Sequence, residues 1–217
     1  MRRAGWVGCT PTASDTSCAT DFAGRFGRRA FRRPLSSNEL ATYARLAAAA
    51  SASSGDPWIG LEMIVVAMLE SPKFLYRVEV GAPDGVDPAR RAYSGFELAT
   101  RLAYLIWNTT PDDSLLDLAE AGELSTTDGI RRVVAGMFTS GRAHEGLPTF
   151  FAELLNLDRV SGLHKDATRF PQMSDALAAS MQAETLALFD EIVLGQNTDY
   201  LSYARWAACL ERRLSSM

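Results

Sequence analysis

Two adjacent carboxylates, Asp112 and Asp113, are the first residues in this chain with the type and spacing for chemistry. Neighbouring carboxyl groups push each other's pKa values apart, which is how one residue serves as a general acid and the other as a base. A second pair is Glu97 and Arg101, four residues apart and so on one face of a helix. In a cleft, that pair could orient a polar substrate. Asp117, Glu120 and Glu123 extend the acidic character and could hold a hard cation, but the Asp-x-Asp-x-Asp-Gly spacing of a calcium loop is absent. The two histidines, His144 and His164, lie outside any His-Glu-x-x-His pattern, and surface positions explain them more simply than base or ligand roles.

Each candidate has a plainer explanation. Asp112 and Asp113 follow Pro111, where the free N–H groups and dipole of a helix start favour anions without any catalytic role. Capping is therefore the preferred account, and Asp117, Glu120 and Glu123 then form a solvated helix face. The basic run from Arg25 to Arg33 interleaves arginines with Phe26 and Phe31, a composition that suits an anionic polymer. The preferred account is again local: an amphipathic helix whose arginines pair with the excess acids of the chain. There is no Gly-x-Ser-x-Gly, no P-loop and no Gly-x-Gly-x-x-Gly.

The elements that must position these residues are helices. Ser17 to Arg33 carries Phe22, Phe26, Ala30 and Phe31 at helical spacing and stops at Pro34. Ser36 and Glu39 have capping-box spacing before a helix from Ser37 to about Ala52. Asp56-Pro57 restarts helix, with Trp58, Leu61, Ile64, Val65, Met68 and Leu69 on its apolar face. Lys73 to Val80 suits either a short extended piece or a last helical turn, and residues 81–91 form a linker.

Ser94 and Glu97 repeat the capping-box spacing, and the helix that follows through Trp107 is apolar on nearly every side, which predicts a buried core helix. Thr110 and Pro111 are expected to cap and start the next helix, with Gly122 as its stop. Helices are further predicted from Ser125 or Thr126 to Phe138, from His144 to Asn156, and from Ser174 to about Leu194. Leu157 to Pro171 is irregular, and the tail from Tyr200 has helical propensity with a poorer pattern. No convincing strand pair is read. The fold class is all-α, an irregular multi-helix bundle of about eight helices. Residues 1–80 form an N-terminal helical subdomain, 92–195 the main helical domain, and 196–217 an atypical tail.

Composition narrows the function classes. With 217 residues, 47% hydrophobic and 22% charged, the chain can bury a sizeable core. A net charge of −4 gives no reason to expect nucleic-acid binding. No apolar run reaches the roughly 18 residues of a membrane span. Arg2 and Arg3 are not followed by the apolar segment of a signal peptide, which leaves either a cytosolic protein or an exported one whose signal lies upstream. Cys9, Cys18 and Cys209 form no Cys-x-x-Cys or Cys-x-x-Cys-His motif, so neither zinc nor covalently attached haem is expected, and no other cofactor is indicated. Cys9 and Cys18 suit a local disulfide in an oxidising compartment and two free thiols in a reducing one equally well.

Several blocks do match a known pattern in order. FGRRAFRRPLSSNEL and LESPKFLYR resemble the fifth of the planctomycete-type secreted domains of unknown function. YSGFELATRLAYLIWNTTPDDSLLDLAEAGEL, MFTSGRAHEGLPTFFAELLNLD and MQAETLALFDEIV resemble the fourth. The resemblance spans residues 18–193. It implies a large exported parent protein and an oxidised Cys9–Cys18 pair. As partners it suggests a haem or carbohydrate-binding module elsewhere in the parent. It supplies no catalytic residue. The ending YLSYARWAACLERRLSSM departs from the family's Tyr-x-x-x-Asn-x-x-Leu-Ala type of ending, and a truncated or frame-shifted product is expected. The chain is thus expected to be a non-catalytic scaffold or interaction module of an exported bacterial protein. The alternatives are a hydrolase built on Asp112, Asp113, Glu97 and Arg101, or a docking partner of a c-type cytochrome.

Overall fold

The computed structural model describes residues 5, 7–12, 16–83, 87, 89–163, 165–166 and 168–195. His164, Cys209 and the tail from Tyr200 lie outside the described residues. The fold is all-α: among the described residues 70% are helical, with ten α-helices, eight of them at least seven residues long. By its internal contacts the chain divides into two compact units, residues 1–101 with 110–129, and residues 102–109 with 130–217.

The first unit is built on α1 (Ser17–Phe31), α2 (Ser37–Ser54) and α3 (Pro57–Leu69). Phe22, Ala23, Phe31, Leu61, Ile64 and Met68 from these helices are buried together. The helix starts follow from side-chain chemistry. Ser36 Oγ accepts from the Glu39 N–H at 3.3 Å while Glu39 Oε2 accepts from the Ser36 N–H at 2.8 Å. Asp56 Oδ1 accepts from the Trp58 N–H at 2.9 Å, with Pro57 in the first helical position. Gly60 lets α2 and α3 meet closely, since a Cβ there would stand 2.6 Å from the Ala47 carbonyl oxygen. Arg32 ends α1 two residues before Pro34, in a left-handed conformation (φ 58°). The disulfide Cys9–Cys18, with Cα atoms 5.8 Å apart, ties residues 9–12 to the start of α1.

After the single turn α4 (Pro72–Leu75) the chain is extended at Tyr76, and residues 77–80 carry no helix and no ladder. Of the two alternatives expected for Lys73 to Val80, the helical turn holds up to Leu75 and the extended form at Tyr76. Contrary to expectation there is, among the described residues, one strand pair: β1 (Ala82–Pro83) pairs antiparallel with β2 (Arg91–Ala92), exposed, and closes the two ends of the predicted linker on each other. Two-residue strands leave no period-two pattern to read.

The next helix corrects a second expectation. α5 (Gly95–Leu102) continues as a π-helical turn, Ala103–Trp107, which ends at Asn108 in a left-handed conformation (φ 52°). Ala99, Thr100, Ala103 and Ile106 are buried, but Leu105 is 54% exposed, so this is no core helix. Its residues up to Arg101 belong to the first unit and those from Leu102 to the second.

A third correction concerns the following start. α6 (Asp113–Glu120) is capped by Asp112, whose Oδ1 accepts from the Leu115 N–H at 2.9 Å, two residues later than the Thr110–Pro111 start that was expected. An aspartate is the better acceptor for the free N–H groups of a first turn, and here it wins over the threonine. Leu115, Leu116 and Ala119 are buried, and Gly122 (φ 84°) leads into a short 3₁₀ turn, Glu123–Ser125.

The second unit contains most of α7 (Thr127–Phe138), then α8 (Gly141–Leu154), the single turn α9 (Asp158–Ser161) and α10 (Asp175–Leu194). Gly146 of α8 sits directly on the π-helical turn: a Cβ there would come within 2.4 Å of the Ile106 carbonyl oxygen. Trp107 Nε1 donates to the Met137 carbonyl at 3.2 Å, and the Arg142 guanidinium lies 5.0 Å from the Trp107 ring centre. Phe151 stacks on Phe189 at 4.3 Å, joining α8 to α10. Among the described residues, no helix is long and apolar enough to cross a membrane.

Candidate functional site

The sequence candidates are best followed from α1 outward, because its arginines reach most of them. Arg29 Nε lies 3.1 Å from both carboxylate oxygens of Asp113. Arg28 donates to Asp117 at 2.7 Å and to Glu120 at 3.0 Å. The basic helix therefore meets the acidic face of α6. The Arg29 hydrogen bond outweighs partial burial and holds the Asp113 carboxyl below its usual range, and the positive charge of Arg29 adds to this. Asp112 is the N-cap already described. The two adjacent carboxylates thus point to different partners, one to a backbone N–H and one to a guanidinium.

Glu97 and Arg101 also part company. One Glu97 oxygen accepts from the N–H groups of Val80 (3.0 Å) and Gly81 (2.9 Å), and the other from the Ser94 N–H (2.7 Å). Ser94 Oγ accepts from the Glu97 N–H in return, which completes the capping box. Burial disfavours the charged form of Glu97, but the N–H donors of Gly81, Ser94 and Val80 prevail and its pKa is lowered. Arg101 instead donates to Glu79 at 2.8 Å and to the Tyr93 hydroxyl at 2.9 Å, with its guanidinium 4.9 Å from the Tyr93 ring centre.

These residues frame a groove of about 750 Å³ on the first unit. It runs between the end of α1, the segment from Lys73 to Ala82, and the start of α5, and Glu97 is part of its wall. Asp112, Asp113 and Arg101 are not among its lining residues. Four cations (Arg32, Arg33, Lys73, Arg77) and two carboxylates (Glu79, Glu97) line it, and Phe31, Tyr76, Tyr93 and Phe96 supply aromatic surface.

Two residues that sequence reasoning did not single out build this groove. Arg32 is 6% exposed and donates to the carbonyls of Lys73 (2.8 Å) and Tyr76 (3.0 Å), with longer contacts to Phe74 and Ala30. It clamps the segment after α4 to the end of α1. Glu39, recognised only as a cap, also receives both Arg33 nitrogens (2.8 and 2.9 Å) and the Lys73 ammonium. The Arg33 hydrogen bonds prevail over burial and, with Lys73 and the Ser36 N–H, hold the Glu39 carboxyl far below the usual carboxylate range. The available signal was Arg32-Arg33-Pro34 at a helix end, which marks the place but not the carbonyls to be bound.

Elsewhere, His144 Nδ1 lies 2.8 Å from Asp190, joining α8 to α10 on the surface of the second unit. Among the described residues, no three His, Cys, Asp or Glu side chains gather as a metal would require.

Comparison with known proteins locates the chain by its sequence. Residues 18–79 match the family PSD5, a protein of unknown function (DUF1595). Neither the search of curated proteins nor the search of solved structures finds a match. Residues 93–213 match the family PSD4, a protein of unknown function (DUF1592), and since they are more than half of the chain, the chain belongs to that family, with a PSD5 region ahead of it.

Proposed function

We propose that the chain is a non-catalytic helical scaffold or interaction module of a larger exported protein. One observation carries this: the carboxylates singled out as acid or base candidates, and Glu79 beside them, are held in structural tasks by named partners. Asp112 caps α6, Asp113 binds Arg29, Glu97 gathers three backbone N–H groups, and Glu79 binds Arg101. A general base needs a carboxylate free to take a proton near neutral pH, and the lowered pKa values of Asp113 and Glu97 run against that role. The Cys9–Cys18 disulfide accords with an oxidising compartment and supports export. The two family regions, 18–79 and 93–213, are taken as successive parts of one such module.

The test is to purify the chain with Asp113→Asn and Glu97→Gln variants and assay ester, glycoside and peptide hydrolysis beside thermal unfolding. The expected outcome is lowered Tm in both variants and no turnover above background in any. Turnover that disappears in Asp113→Asn or Glu97→Gln without a change in Tm would sink the proposal.

A further inference from the structure

The groove on the first unit has an edge with the properties of an unfilled strand position. Tyr76, Val78 and Val80 alternate along it and are 65%, 62% and 55% exposed, a concentration of apolar surface at period two that the adjoining helices leave uncovered. Among the described residues, the N–H and C=O groups of Val78 and Glu79 take no hydrogen bond, whereas the Tyr76 carbonyl and the backbone groups of Val80 and Gly81 are engaged. Arg32 holds the Tyr76 carbonyl, Glu97 holds the Val80 and Gly81 N–H groups, and Arg91 holds the Val80 and Gly81 carbonyls. The edge is thus fixed at both ends and open in the middle. Its charge is also directional. Four cations against two carboxylates line the groove of a chain whose own net charge is −4; both carboxylates hold donors, Arg32 holds carbonyls, and Arg33 and Lys73 share Glu39, so the groove offers an excess of positive charge and not a free cation.

We propose that this edge takes an extended, acidic segment of a partner polypeptide, added as a strand along Tyr76–Val80. The backbone groups of neighbouring residues in an extended segment face opposite edges, so the guest pairs with Val78 on the edge shared by Tyr76, Val78 and Val80, and its alternate side chains pack beside those three residues. The basic lining selects acidic residues at the remaining positions and speeds their approach. This rests on the chain being an interaction module, and it names the partner's chemistry.

The experiment uses the whole chain and three fluorescent probes: a peptide alternating Val and Glu, the same peptide with Lys for Glu, and the Val/Glu peptide N-methylated at alternate residues. Polygalacturonate serves as a polyanion without a peptide backbone. The Val/Glu peptide is expected to bind about tenfold or more tightly than the Lys peptide, with affinity falling as salt rises. N-methylation on the pairing edge should abolish binding, and so should Val78→Pro, which removes the donor, whereas Val78→Ala should retain most of it. Equal binding of the Val/Glu and N-methylated peptides would overturn the proposal. So would competition by polygalacturonate that is indifferent to Val78→Pro, since the groove would then read charge alone. Binding of none of the peptides also overturns it and leaves the hydrolysis assays unaffected, so the two proposals fail separately.

Discussion

Helices α1 and α10 differ in how sharply their apolar residues gather on one side, strongly in α1 and hardly at all in α10, and they are held in opposite ways. In α1, 15 residues long, seven are buried, from Cys18 to Phe31, and its arginines lock onto carboxylates or carbonyls of other elements. In α10, 20 residues long, Ala178 alone is buried, while Leu177, Met181 and Val193 of its apolar positions are exposed. Phe151–Phe189 stacking and the His144–Asp190 pair are its named ties. A stripe records what a helix is able to bury. Whether it does so depends on a partner that approaches closely and on polar groups that fix the approach.

Substitutions can break this contrast. The largest effect is expected for Ile64→Ala, which empties a fully buried position beneath α1 and should cost about 2–5 kcal/mol in denaturant unfolding. Gly146→Ala tests the tight place in the second unit. The new Cβ would meet backbone of Ile106 and Trp107, which cannot swing aside, so a loss of about 3 kcal/mol is expected. If calorimetry resolves two transitions, Ile64→Ala should lower one and Gly146→Ala the other.

Arg32→Lys is next, at about 2 kcal/mol, because one ammonium cannot replace a planar donor set spread over several carbonyls. Glu39→Gln should cost about 1–2 kcal/mol, a figure kept low because its partner Lys73 is half exposed. The pH dependence has a definite sign. The folded-state pKa of Glu39 lies below its ordinary value of 4.5, so its contribution is complete above about pH 4.5 and is lost as pH falls towards the folded value. The Glu39→Gln variant should show a flatter loss of stability below pH 4.5. The smallest effect is expected for Met181→Ala on α10, within about 0.5 kcal/mol. A loss as large as that of Ile64→Ala would mean that the contrast between the two helices is false.

Much of the helical frame could be read from the chain because its signals are local. Ser36 with Glu39, Asp56 with Pro57, Ser94 with Glu97, and Ser174 are caps that need only a few neighbouring residues. The pairing of basic α1 with acids was legible from composition, but not which acids, since Asp113 and Asp117 lie 84 and 89 residues beyond their arginines. Three features were hidden. The π-helical turn left no mark in the Tyr93–Trp107 pattern, so that helix read as wholly buried. The partners of Arg32 are main-chain carbonyls, which every residue has, so no residue type announces them. The partner of Arg101, Glu79, lies across the linker, whereas Glu97 at the helical interval looked the natural choice. The site was legible only in part for the same reason: its residues were named, but their tasks depend on contacts distant in sequence.

The long separation between the α1 arginines and their acids also has a consequence for synthesis. Arg28 precedes Asp117 and Glu120 by 89 and 92 residues. At ribosomal speed, that interval is on the order of 5–20 s. During it α1 can form, and Cys9 and Cys18 can meet in an oxidising compartment, while the arginines face water or whatever anionic surface is near. The nascent chain is therefore markedly more basic at its front than the finished protein, and it should be most vulnerable to straying onto acidic surfaces before α6 is made.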